Sequence, residues 1–82
     1  DPTKNIITLT NDGAIRWNGR FVNREELRAR INAAGAMLLQ PQVLLRPEAG
    51  TRYELVDSVL ADIKRAGTEK LAFVGNEQFS RF

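Results

Sequence analysis

The chain has 82 residues, of which 43% are hydrophobic and 27% charged, a composition that suits one ordered domain with a modest core. It contains no Cys and no His, which excludes disulfides, thiolate and imidazole metal sites, and Ser-His or Cys-His nucleophilic machinery. Its 12 basic residues are interleaved with 10 acidic ones for a net charge of +2, a weak footprint for nucleic acid, and no stretch approaches the roughly 18 apolar residues that a membrane span needs.

Along the chain, Ile6 to Thr10 ("IITLT") is rich in β-branched residues and reads as a strand, with Asn11-Asp12-Gly13 as the turn after it. Ala14 to Trp17 alternates apolar and polar residues. Asn18-Gly19 follows, the strongest short hairpin signal because both central residues of a type I′ turn need positive φ. Arg20 to Val22 is therefore a short strand returning on the second.

Asn23 with Glu26 three residues later forms a capping box ahead of a helical pattern. The spacing predicts a helix over 24–38 whose buried face is Leu27, Ile31, Ala34 and Leu38, with Glu26 and Arg30 paired at i, i+4 on the exposed side. Gly35 is expected to weaken its last turns by up to about 1 kcal/mol relative to Ala.

Gln42 to Arg46 ("QVLLR") has the mostly apolar character of an interior strand. Next comes "LRPEAGTRYEL", where Thr51 and Glu54 match a second capping box and predict a helix over 52–66. Its apolar stripe is Tyr53, Val56, Leu60 and Ile63, widened by Leu55 and Val59; Lys64 and Arg65 lie near the negative end of the helix dipole and Gly67 at C′. A buried Tyr53 predicts a loss of about 3–5 kcal/mol on Tyr53→Ala. Leu71 to Val74 ("LAFV") supplies the last strand, and the tail over 75–82 carries Phe79 and Phe82 without periodicity. The order β-β-β-α-β-α-β, with one apolar stripe per helix, predicts an α+β two-layer sandwich in which both helices cover one face of a mixed sheet.

Three chemical readings bear on these elements. A phosphate cradle at "RPEAGTRYEL" lacks the glycines and lysine of a P-loop. Glu54, Asp57 and Asp62 form the densest acidic set, but their spacing describes a solvated helix surface with Asp62 paired to Arg65, not two carboxylates facing each other across a substrate. Arg16, Arg20, Arg24 and Arg28 with Trp17 and Phe21 would offer single-stranded RNA a charged stacking surface if they shared a face, although no Gly-x-x-Gly loop or aromatic pair of an RNA module is recognisable. A partner-binding module, needing only an exposed sheet edge or apolar patch, remains the reading that composition favours.

Taken together, two ordered motifs resemble the periplasmic domain of the ExbD/TolR family of biopolymer transport proteins. The first is a strand, Asp12-Gly13, Ile15, Asn18-Gly19, Val22 and Leu27. The second is Val43, Leu45, Arg46, Glu48, Tyr53, Val56, Leu60, Ala66-Gly67, Leu71 and Val74. The family more often has Asp where this chain has Glu48, and Pro where it has Arg52.

The resemblance implies a flexible segment over 1–5 that follows an N-terminal transmembrane helix outside this chain, a periplasmic domain over 6–74 and a C-terminal tail over 75–82. It implies a subunit of a proton-driven inner-membrane motor, working beside an ExbB-type channel subunit and engaging a TonB-type energy transducer to drive outer-membrane nutrient import, with no cofactor, metal or catalytic residue of its own. A TolR-like role in envelope maintenance, with peptidoglycan contact, is the alternative, and a small RNA-binding module the second. Docking by strand addition needs little side-chain chemistry, and "IITLT", "QVLLR" and "LAFV" are the three candidate strands for it. The expected docking residues are Ile6, Ile7 and Leu9 in "IITLT", Val43, Leu45 and Arg46 in "QVLLR", and Glu48 and Tyr53 in the connector. The family also implies a homodimer, for which Leu71, Phe73, Phe79 and Phe82 are the expected contacts.

Overall fold

The computed structural model describes residues 4–74. Seven elements follow the expected order: β1 (Lys4–Leu9), β2 (Ile15–Trp17), β3 (Arg20–Val22), α1 (Arg24–Gly35), β4 (Gln42–Pro47), α2 (Tyr53–Arg65) and β5 (Leu71–Phe73). The strands form one mixed sheet in the order β3-β2-β1-β4-β5. The β1–β2 and β2–β3 pairs are antiparallel, while β4 runs parallel to both β1 and β5.

Local chemistry explains the hairpin and the first helix. Asn18 at φ 51° and Gly19 at φ 88° occupy the left-handed region that the two-residue turn demands. The Asn18 side chain extends the pairing, accepting from Ile6 N–H at 2.7 Å and donating to Asn5 Oδ1 at 3.0 Å. At α1, Asn23 Oδ1 accepts from Glu26 N–H at 2.8 Å and Glu26 Oε1 accepts from Asn23 N–H at 2.9 Å, a complete capping box. Glu26 is therefore engaged at the cap, and it forms no ion pair with Arg30 among the described residues.

Both helices cover the same sheet face, because one continuous core joins Ile7, Leu9, Ile15, Val43 and Leu45 of the sheet to Leu27 and Ile31 of α1 and Val56, Val59 and Ile63 of α2. Each such side chain contributes about 1.5–3 kcal/mol through burial, so this interface dominates stability.

Helix α1 ends earlier than its apolar spacing suggests. Leu38, expected on its buried face, is fully exposed. The cause is tertiary: Gly35 abuts the carbonyl of Ala66 at the end of α2, so closely that a Cβ there would sit 2.2 Å from the Ala66 oxygen. Gln40 then ties the two helix ends together, its Nε2 donating to Gly35 O and Gly67 O at 3.1 Å each while its Oε1 accepts from Glu69 N–H at 3.0 Å. The chain turns into β4 at this clamp.

Candidate functional site

The connector between β4 and α2 is held by its backbone more than by a helix cap. Thr51 is buried, with its hydroxyl 2.7 Å from Glu48 O and 3.1 Å from Leu9 O, and the N-cap position falls on Arg52, whose side chain makes no capping bond. The expected Thr51–Glu54 capping box is thus replaced by a tie between the connector and the end of β1. Glu48 completes it, donating its N–H to Leu9 O at 2.8 Å and accepting from Asn11 N–H at 3.2 Å. In the adjacent turn, the Thr10 hydroxyl holds the Asp12 carboxyl below its ordinary range.

Tyr53 opens α2 at 52% exposure instead of lying in its buried stripe. Tyr53→Ala is accordingly expected to cost less than about 1.5 kcal/mol in urea denaturation, since roughly half its surface is already in water.

Asp62 differs most from the surface role expected of it. Its side chain is only 4% exposed and receives Arg24 at 2.8 Å, Arg28 at 3.3 Å and Arg65, the pairing partner foreseen from the sequence. Burial alone would raise its pKa, but the Arg24 hydrogen bond and charge, joined by Arg65 and Arg28, outweigh this and hold it below the ordinary carboxylate value. This is a buried anchor between α1 and α2. Arg24 and Arg28 are consumed by it, Trp17 packs against the core, and Phe21 stands 64% exposed, so the stacking surface imagined for RNA is not assembled. Among the described residues no group of three or more acidic side chains could hold a metal ion.

The sheet order decides which strands have a side open to another chain. Strands β1 and β4 are interior, each paired on both sides, and Ile7, Leu9, Val43 and Leu45 are fully buried. Ile6 and Arg46 point to the opposite face of the sheet, because strand side chains alternate. Of these three candidate strands, β5 alone lies at an edge of the sheet formed by the described residues.

Val43 N–H donates to Lys70 O at 2.8 Å and Val74 N–H to Leu45 O at 3.0 Å. In a parallel pair this turns the polar backbone of residues 70, 72 and 74 toward β4 and that of Leu71 and Phe73 away from it. Beside the edge lies a groove of about 660 Å³ lined by Met37, Leu39, Pro41, Gln42, Lys70 and Leu71. Met37 is 53% and Leu39 85% exposed, a concentration of apolar side chains unusual for a surface loop. The patch is not legible in the sequence, because the expected helix runs through Leu38 and so takes Met37 and Leu38 as helical. Leu71 and Phe73, expected dimer contacts, are half-buried on β5; Phe79 and Phe82 lie outside the described residues.

The family model for biopolymer transport protein ExbD/TolR matches residues 1–78. The chain belongs to the ExbD/TolR family. Its fold carries both family-like motifs: Asp12 to Val22 builds the β1–β2 turn and the hairpin, and Val43 to Val74 builds the β4-α2-β5 unit. ExbD/TolR proteins serve transport and energy transduction, and no described helix of this member is long and apolar enough to cross a membrane. No curated protein matches the chain.

Proposed function

We propose that this ExbD/TolR member is ExbD-like: a periplasmic domain of a proton-driven inner-membrane motor that works beside an ExbB-type subunit and passes force to a TonB-type energy transducer. The observation that carries the docking mode is the β5 edge with the apolar Met37–Leu39 groove against it. An extended segment adding to β5 would take main-chain hydrogen bonds from the outward backbone of Leu71, and an apolar side chain of that segment would enter the groove. Self-association through Leu71 and Phe73, the expected dimer mode, is an alternative use of the same edge. Force transfer needs no catalytic group, only a contact that resists shear, which a ladder of parallel hydrogen bonds supplies.

Leu71→Pro tests the mode directly, since the amide it removes points away from β4 and the sheet keeps its ladder. Calorimetry with the periplasmic segment of a TonB-type protein is expected to show binding lost in Leu71→Pro and weakened about tenfold in Leu39→Ser, whose exposed side chain leaves folding untouched. Unchanged affinity in both variants would move docking elsewhere.

A further inference from the structure

The face of the sheet turned away from the helices carries a row of side chains that none of the foregoing uses. Thr8 is in register with Arg16 on one side and Arg46 on the other, and Arg16 is in register with Phe21. The row Phe21-Arg16-Thr8-Arg46 therefore runs across four strands, with neighbours about 4.8 Å apart and the two arginine backbones about 10 Å apart. The next row along the strands is apolar, with Ile6 in register with Leu44 and Leu44 with Ala72. No described helix covers either row, and a groove of about 540 Å³ lies along them, lined by Ile6, Thr8, Arg16 and Arg46 with Lys4 at one end and Glu48 at the other.

Two features mark the cationic row as a site. Neither Arg16 nor Arg46 has an ion-pair partner among the described residues, whereas every recorded ion pair on the helix side converges on Asp62. Arg16 is also held in place: its guanidinium lies 4.4 Å from the centre of the Phe21 ring, and its Nε is buried with no hydrogen-bond partner. A planar fork already fixed by stacking loses little freedom on binding a carboxylate.

We propose that this open face binds an acidic protein segment, an extended chain whose Asp or Glu carboxylates are taken by Arg16 and Arg46 and whose alternate apolar side chains rest on Ile6 and Leu44. Charge complementarity names the occupant: Lys4, Arg16 and Arg46 against Glu48 leave the groove cationic. The parallel apolar row favours a peptide over a phosphate polymer, and among the described residues Phe21 is the only aromatic ring on this face, too little for the series of rings on which successive bases stack. The site is independent of the β5 edge and stands whether or not a transducer docks there.

The test is an NMR titration of the labelled 82-residue chain with the hexapeptide Ac-Val-Glu-Val-Glu-Val-Glu-amide, its lysine counterpart, inorganic phosphate and a short single-stranded RNA. The glutamate peptide is expected to shift Ile6, Thr8, Leu44 and the Arg16 and Arg46 side-chain N–H signals. Affinity should fall at least about tenfold in the Arg16→Gln/Arg46→Gln double variant and fall steeply with added salt. Arg46→Gln alone, at an exposed position, keeps the fold and is expected to lose several-fold. Equal binding of the lysine peptide, unchanged affinity in the variants, or shifts confined to β5 would overturn the proposal. Tighter binding of phosphate or RNA to the same residues would overturn it too, in favour of a phosphate site.

Discussion

Asp62→Ala is expected to destabilise the domain by about 2–4 kcal/mol at neutral pH. Removing one member of a buried ion pair typically costs about 3–5 kcal/mol because it strands the remaining charge. Here the stranded arginines are 27%, 53% and 71% exposed, so water recovers part of the loss. What is not recovered is the tie between α1 and α2, since Arg24 and Arg28 both come from α1.

The pH dependence follows from the direction of the shift. Asp62 has a depressed pKa in the folded state, so its contribution is present in full above the unfolded value of about 3.9. As pH falls below that value the unfolded chain binds a proton that the native carboxylate still refuses, and stability drops until the folded pKa is passed. Urea denaturation should therefore show the gap between wild type and Asp62→Asn holding constant from pH 7 to about 5 and narrowing as pH falls further toward 3. A gap independent of pH would mean that the carboxylate's charge does not hold the helices.

Gly35→Ala carries the second large expectation, and its sign opposes helix propensity. Ala is the better helix former by about 1 kcal/mol, so an isolated helix would gain. In the fold the new methyl would meet the Ala66 carbonyl oxygen at 2.2 Å and its carbon at 3.1 Å, atoms of rigid backbone that cannot swing aside. The ends of α1 and α2 must part, which also strains the Gln40 bridge between Gly35 and Gly67. A net loss of about 1–3 kcal/mol in unfolding free energy, read from urea denaturation, is expected. A gain in stability would show that the two helix ends do not approach so closely.

Gly35 also shows where reading the sequence stops. Features whose causes are local were legible: the Asn18-Gly19 turn, the Asn23–Glu26 capping box, and the α2 stripe of Val56, Val59, Leu60 and Ile63. Each is specified by residues within a few positions of one another. Thr51–Glu54 has the same local pattern as a cap, yet the Thr51 hydroxyl turns to Leu9 O, 42 residues away in the chain, because the parallel β1–β4 pair brings that oxygen beside it.

Asp62 follows the same logic. Its i, i+3 partner Arg65 was visible, while Arg24 and Arg28 stand 38 and 34 residues away and meet it only once α1 and α2 share a sheet face. Strand order is non-local as well. The composition of "IITLT" and "LAFV" is alike, and only the sheet places β1 inside and β5 at the edge. The groove beside β5 depends on Gly35 ending α1 early, so that Met37 and Leu39 leave the helix and face water.

In the proposed docking mode, β5 and its groove are the surface that takes a partner strand. NMR titration of the isotope-labelled chain with the periplasmic segment of a TonB-type protein tests it most directly. Amide shifts are expected to be confined to Leu71 through Val74 and to Met37 through Gln42, with β1 and β2 silent. Shifts centred on Arg20 to Val22 of β3, or no shift at saturating concentrations of the segment, would contradict it.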